Sequence, residues 1–544
     1  MGSRSRLVGA LAVVCVAAVA LSPTVAYAEP ASGRIVPAVG ASAVPDSYLV
    51  TFRSTVARGD VVTRSDSLAT RFGGRITRTY EHAVRGFEIS MPEAAAERLA
   101  SDPSVALVEE NAVVSVSDTQ TPTLAWGLDR IDQRPVTRDD RYHFATTAAG
   151  VKAYIIDTGI RLTHNEFGGR AISGIDTIDG GPADDLNGHG THVAGTVGGT
   201  TFGVAKGVTL VAVRVLDQNG HGTFGQVVQG VDWVTADHQA GQPAVANMSL
   251  GGGANEMLDT AVRNSIADGI PYGVAAGNAD GDACLMSPAR VATAITVGAT
   301  GPTDERATFS NRGSCLDIFA PGVGILSAFH LTDAAAAALS GTSMATPHVV
   351  GVAALLVSQL GPLYSPQSIR DLIVDSATSG VVRDAGVGSP NKLLFSGPTV
   401  LPVADFTGGV GRSFRGQLPA VNGIQPYAWS VAGLPAGVSS SPTGLVTGRP
   451  RAPGLFTVSY TVTDGVGRTG SGSFRWNVIP VTATFVGTGD AFKPTTATSI
   501  AEAAARQEAA QAGYGNCRVI DSTIEQIEPG TWYATVTVDC VLLD

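Results

Sequence analysis

The chain has 544 residues, 44% hydrophobic and 15% charged, with 66 glycines and a formal net charge of −11. That length exceeds one ordinary core and predicts two to four domains. The low charge density excludes a disordered chain, and the acidic balance argues against nucleic acid as a partner.

Residues 1–28 read as a signal peptide: Arg4 and Arg6, an apolar run over 7–20 that includes Cys15, then Ala26-Tyr27-Ala28 as a small-x-small cleavage site. The run is too short to span a bilayer comfortably, and no later stretch reads as a membrane span, so a secreted, extracellular product is expected. Export leaves Cys284, Cys315, Cys517 and Cys540, an even number in an oxidising compartment. Three pairings are open; the local choice is Cys284–Cys315 with Cys517–Cys540.

Residues 45–117 read as a small α+β unit. Strand patterns at 47–52, 85–91 and 105–116 surround a helix over 92–102, opened by Pro92 and Glu93. A threonine-rich break covers 117–123. From 119 to 397, short apolar strands such as "AYIID", "VAVRV" and "AVANM" alternate with helical stretches such as 223–239, the pattern of a parallel sheet covered on both faces. Residues 398–479 are short strands between Gly- and Pro-rich turns, a β-sandwich pattern. Residues 480–544 hold a helix ending at Gly513 and two strand-like runs carrying Cys517 and Cys540, a small α+β domain with one disulfide.

Chemistry concentrates in four glycine-edged motifs: "AYIIDTGI" with Asp157, "DLNGHGTHVAGTVGG" with His189, "VAAGN" with Asn278 and "GTSMATPHV" with Ser343. A serine hydroxyl needs a base to take its proton, histidine has the right pKa, and a buried carboxylate fixes the imidazole. An amide side chain and backbone N–H groups stabilise the oxyanion. Ser343 opens the helix expected over 344–360, and Pro347 removes the N–H that the carbonyl of residue 343 would otherwise meet. "HGTH" without the zincin glutamate argues for structural roles for His192 and His348 rather than zinc; His82 is expected in solvent.

The order Asp157, His189, Ser343 is that of the subtilisin arrangement. With "WGLDRIDQR" and the four motifs, residues 119–397 resemble the subtilase family, in its proteinase K and aqualysin-like branch. The resemblance implies an α/β, subtilisin-like doubly wound parallel sheet and a serine endopeptidase. Asp157 would orient His189, the general base; Ser343 would be the nucleophile; Asn278 and the Ser343 N–H would bind the oxyanion. It implies a substrate-pairing edge at Ser249, Leu250 and Gly251 and a pocket wall at Ala275, Ala276 and Gly277. The uncharged pocket implies broad preference for apolar or aromatic residues before the cut.

The same resemblance implies structural calcium and no cofactor for catalysis. One site would use the backbone of Ala292 and Ala294 with Asp317; a second would use Asp129, Asp132, Gln133 and Asp139. Cys284 and Cys315 match a disulfide of the aqualysin-like enzymes. Residues 45–117 resemble the inhibitor-type propeptide, an intramolecular partner cut away between about 117 and 121, which makes the chain a zymogen. Residues 398–479 resemble Ig-like domains beside secreted bacterial enzymes, with a polymer or cell surface as candidate ligand. A monomer acting on polypeptide substrates is expected. The alternatives are a surface-binding protein with an incidental peptidase domain and an esterase using the same residues. The alanines at 334–338 favour helix by propensity, but the resemblance implies strand or loop there.

Overall fold

The computed structural model describes residues 35–36, 43–80, 85–112, 118–120 and 125–542. The expected signal peptide, His82 and the ends of the expected cut segment, residues 117 and 121, lie outside the described residues. The chain divides into two compact units, 1–114 and 115–544.

In the first unit, five strands pair in the order Ile35–Val36, Val105–Ala112, Ala43–Phe52, Gly86–Ser90, Arg75–Tyr80. Helices Val61–Phe72 and Glu93–Ala100 bury Val61, Leu68, Ala96 and Leu99 against Val50, Phe87, Ile89 and Val108. Pro92 stands at the cap of the second helix, extended as the residue before a first turn should be, and Glu93 complements the helix dipole.

The second unit is built on a nine-stranded sheet. Its strands are β1 (Lys152–Asp157), β2 (Ala171–Asp176), β3 (Thr209–Arg214), β4 (Ala244–Met248), β5 (Tyr272–Ala275), β6 (Ile295–Thr300), β7 (Ile318–Pro321), β8 (Thr378–Ser379) and β9 (Lys392–Leu393). They lie in the order β8-β9-β7-β6-β5-β4-β1-β3-β2, and only β8 runs antiparallel to its neighbour. After a short helix at Trp126–Ile131, the longer helices around the sheet are α1 (His189–Gly198), α2 (Phe224–Asp237), α3 (Glu256–Ala267), α4 (Thr342–Leu360) and α5 (Pro366–Ser376). Successive β1 side chains point to opposite faces. Ile155 joins Val193, Val349 and Ile369 from α1, α4 and α5; Ile156 joins Val231 and Val262 from α2 and α3. Cover on both faces explains why these strands read as unbroken apolar runs. Helix α4 is long and apolar enough to cross a membrane, but most of it is buried as the central helix of this core.

Strand β1 lies between β3 and β4, so the chain winds away in opposite directions on its two sides. The crevice at the carboxyl ends of such strands is where a ligand finds loops from both halves. The alanine run forms strand Ala336–Leu339, antiparallel to Ile325–Ala328. Helix propensity is overridden there by ladder pairing and by His192, whose Nε2 donates to the carbonyls of Ile325 and Ala337.

Residues 406–479 form two sheets around Trp476, Val458 and Phe474. Arg468 Nη1 from this sandwich donates to the carbonyls of His143 and Ser396, and Arg134 donates to the Thr469 carbonyl while lying 4.0 Å over the Phe395 ring. In the last segment, helix α6 (Pro494–Gln511) lays Ala497, Ala501, Ala505 and Ala509 on a three-stranded antiparallel sheet. Glycine is required beneath it: a Cβ on Gly487 would stand 2.1 Å from the Ala501 carbonyl.

Candidate active site

Each motif residue is delivered by the end of an element. Asp157 ends β1, His189 begins α1, Asn278 follows β5 and Ser343 lies in the first turn of α4. A close approach joins the first two: a Cβ on Gly190 would fall 2.1 Å from the Gly159 carbonyl, so only glycine lets α1 start against the end of β1. Asp157 is fully buried; its Oδ1 accepts from Thr158 N at 2.8 Å and His189 Nδ1 at 2.7 Å. Facing a carboxylate fixes Nδ1 as the protonated nitrogen and leaves Nε2 free as a base. Burial opposes charge on His189, but Asp157, through its charge and hydrogen bond, and then Asp185 outweigh it, so the imidazole titrates above the ordinary histidine value.

Asp185 and Thr158 are functional neighbours that motif reading passed over. Asp185 Oδ1 accepts from Thr158 Oγ1 and from the N–H groups of Asn187 and Gly188; Oδ2 accepts from the N–H and hydroxyl of Thr191. One buried carboxylate thus fixes the turn that presents His189. The only advance signal was an acid four residues before "HGTH".

Asn278 is aimed by Thr342, whose N–H and hydroxyl donate to Asn278 Oδ1 at 2.8 and 2.9 Å. With the oxygen committed, Nδ2 is the free end and a donor. A methyl on Gly341 would lie 3.5 Å from Asn278 Nδ2 and 3.6 Å from Ser343 N, so both donors border one small space. The Ser343 N–H belongs to the first turn of α4, where no intrahelical acceptor exists. The Ser343 hydroxyl donates to the Ser249 carbonyl at 3.1 Å rather than to His189.

A cleft of about 530 Å³ is lined by His189, Ser249, Leu250 and Gly251 together with Leu216, Phe224, Val227 and Leu258. Gly252 and Gly253 pair with Met286–Ser287 at its edge. Ala275, Ala276 and Gly277 do not line this cleft; they lie at and just after the end of β5, with both alanines buried. Asn311 shapes their loop: its Nδ2 donates to the Ala276 carbonyl, and its Oδ1 accepts from Ala279 N and Gly281 N. Gly277 has φ 101°, and a Cβ there would meet Asn311 Nδ2 at 2.5 Å.

Comparison with known proteins fits this arrangement. Residues 148–393 match the profile described as "Subtilase family", residues 47–117 "Peptidase inhibitor I9" and residues 397–479 "Putative Ig domain". An extracellular serine proteinase of Thermus sp. (strain Rt41A) is 54% identical over 325 residues, 60% of this chain and 78% of the relative. The chain belongs to the subtilase family. An alkaline serine exoprotease A of Vibrio alginolyticus is 45% identical over 368 residues, covering 65% of this chain and 68% of the relative. A solved cold adapted subtilisin-like serine proteinase is 49% identical, covers 51% of this chain and 99% of its own, and superposes with a TM-score of 0.49. The subtilase is a serine proteinase carrying an I9 inhibitor propeptide and an Ig-like domain.

The two loops expected to hold calcium differ. At the first, Asp317 Oδ2 accepts from Thr296 N at 2.8 Å and Oδ1 pairs with the Arg370 guanidinium. Both oxygens are used and the charge is met by a cation from α5. Ala292 is exposed and Ala294 buried on the same turn. A calcium ion beside a guanidinium would face like charge, so these residues do not fit the metal. At the second, Asp129 accepts from Gln133 Nε2 and from the N–H groups of Asp139 and Asp140; Asp132 accepts from His143 N and Nδ1. Burial raises Asp129 above the ordinary carboxylate value, two N–H groups pull it down, and the charges of Asp132 and Asp139 raise it further. Asp132 also faces the Arg468 guanidinium at 3.8 Å, so by the same test it does not fit the metal, and Asp129, Asp139 and the Gln133 amide oxygen are the hard donors left for a cation. Among the described residues, no three His, Cys, Asp or Glu side chains are gathered around one point.

Both disulfides join the local pairs, Cys284–Cys315 and Cys517–Cys540. His192 and His348 are buried and lowered to about 4 by burial, hence neutral; His348 Nδ1 donates to the Met344 carbonyl.

Proposed function

We propose that the chain is a secreted serine endopeptidase, made as a zymogen, that cuts peptide bonds with Ser343 as nucleophile, His189 as general base and Asp157 as its orienting carboxylate. The 2.7 Å bond between His189 Nδ1 and the buried Asp157 carries this reading. Ser343 Oγ bonds to the scissile carbonyl carbon while its proton passes to His189 Nε2 and the carbonyl π pair moves to oxygen. Asn278 Nδ2 and the Ser343 N–H receive that oxyanion. The C–N bond then breaks, the leaving amine takes the proton from His189, and water repeats the sequence to release the acyl group.

For the hydroxyl to reach His189 it must leave the Ser249 carbonyl. The apolar lining of Leu216, Phe224, Val227, Leu250 and Leu258 supports a preference for apolar or aromatic substrate side chains in this cleft. If calcium binds the 129–139 loop, Asp129, Gln133 and Asp139 would hold it, and it would supply structural cross-linking only. Residues 45–117 would fold as the inhibitor, and 1–28 would direct export. Casein hydrolysis by the wild type and by Ser343→Ala tests the reading: activity only in the wild type supports it, and equal activity sinks it.

A further inference from the structure

Ser249 and Ser343 stand 94 residues apart in the chain and are joined twice. In a regular helix the Ser343 carbonyl accepts from the N–H of residue 347. Residue 347 is proline, so that donor does not exist. The Ser249 hydroxyl donates to the Ser343 carbonyl at 2.8 Å and stands where the missing amide would act. In return the Ser249 main-chain carbonyl accepts the Ser343 hydroxyl at 3.1 Å. Asn247 Nδ2 donates to Ser249 Oγ at 2.9 Å, which fills the acceptor side of that hydroxyl and commits its proton to the Ser343 carbonyl. Asn247 is 0% exposed and Ser249 is 3% exposed, so water does not compete for these bonds.

We propose that Ser249 is a positioning residue for the nucleophile, held in its rotamer by Asn247. It rests on Ser343 being the nucleophile. Its hydroxyl fixes the backbone of the first turn of α4 at Ser343, from which both the attacking Oγ and the oxyanion-binding N–H project. Its carbonyl holds Oγ at rest. Because Leu250 and Gly251 line the cleft directly after it, the segment that borders the substrate is the one that sets the nucleophile. Pro347 and Ser249 are two halves of one device: the proline frees a carbonyl and the Ser249 hydroxyl donates to it.

The test uses the full secreted chain carrying Ser249→Ala, Ser249→Thr or Ser343→Ala, each assayed on one chromogenic peptide with its melting temperature. Ser249→Ala leaves a buried carbonyl without its donor, and kcat is expected to fall about 10- to 100-fold with KM within about twofold. Ser249→Thr keeps the hydroxyl and is expected to recover kcat to within about fivefold of the wild type. The acid limb of the pH profile stays at the wild-type position, because His189 and Asp157 are untouched. If the alanine protein is not recovered, Ser249→Cys replaces it, and its weakly donating thiol is expected to give the same fall. Wild-type kcat in Ser249→Ala, a loss carried wholly by KM, or a threonine variant no better than alanine overturns the proposal. So does a lowered melting temperature with kcat preserved, which is the signature of a purely structural serine. Activity surviving in Ser343→Ala would overturn the nucleophile itself, a separate failure.

Discussion

Asp157 keeps Oδ2 buried and without a protein partner, and neither His189 Nε2 nor Asn278 Nδ2 donates to or accepts from another described residue. Asp317, just before β7 and so at the opposite end of the parallel strands from Asp157, has both oxygens engaged, by Thr296 N–H and by Arg370. Both regions hold a carboxylate largely withdrawn from water, Asp157 at 0% and the Asp317 side chain at 11% exposure, so low exposure alone does not tell a working acid from a structural one. What separates them is leftover hydrogen-bonding capacity. An unsatisfied buried polar group costs stability, and at Asp157 that cost falls beside the proposed base. A saturated one has already done its work in folding.

The contrast can be broken by mutation. Ser343→Ala should lower kcat/KM on a chromogenic peptide by on the order of 10⁶, with His189→Ala about equal and the double variant no worse; additive losses would show that the two do not act together. Asp157→Asn should cost about 10⁴ in kcat. It should also move the acid limb. With neutral His189 as the proposed base, the rate should fall as pH drops through its raised value. Without the Asp157 charge, burial is opposed only by the lesser pull of Asp185, so the value falls and the limb should shift to lower pH. A limb that stays in place would mean another group controls it. Asn278→Ala should lower kcat by about 10²–10³ with little change in KM, a magnitude that comes from a subtilisin.

On the saturated side, effects should be on stability and not on rate. In an inactive Ser343→Ala background, replacing Cys284 and Cys315 by serine opens a loop spanning 31 residues and should destabilise the fold by about 3–4 kcal/mol in denaturant unfolding. Arg370→Ala leaves Asp317 unpaired, and since the pair is partly exposed about 1–3 kcal/mol is expected. Added calcium should restore part of that loss in Arg370→Ala. A chelator should lower the melting temperature of the wild type, and Asp129→Asn should remove that response. If Arg370→Ala is as stable as the wild type with and without calcium, the guanidinium is not the structural cation of that turn.

Much of the site was legible because glycine and short polar residues must stand at strand ends and helix starts for the chain to turn there. "DTG", "HGTH", "AAGN" and "GTS" carry their residues to one crevice for that reason. The bonds that tune the site were not legible, since each joins segments far apart in sequence: Asp185 to Thr158, Thr342 to Asn278, Ser249 to Ser343. Arg370 is a further case. "SPA" and Asp317 suggest a cation loop, yet nothing near them in sequence shows that a guanidinium 53 residues on fills it. The alanine run at 334–338 shows the reverse, with a strong local helix preference lost to a ladder and to His192. The stripe of Ala497, Ala501, Ala505 and Ala509 was readable as a helix, but its close seat over Gly487 was not.

The most direct measurement is to label the secreted enzyme with an organophosphonate and locate the adduct by peptide mass spectrometry. The account predicts a single adduct on Ser343, formed at a rate that follows deprotonation of His189 and lost in His189→Ala. An adduct on another serine, or active enzyme with Ser343 unlabelled, would contradict it.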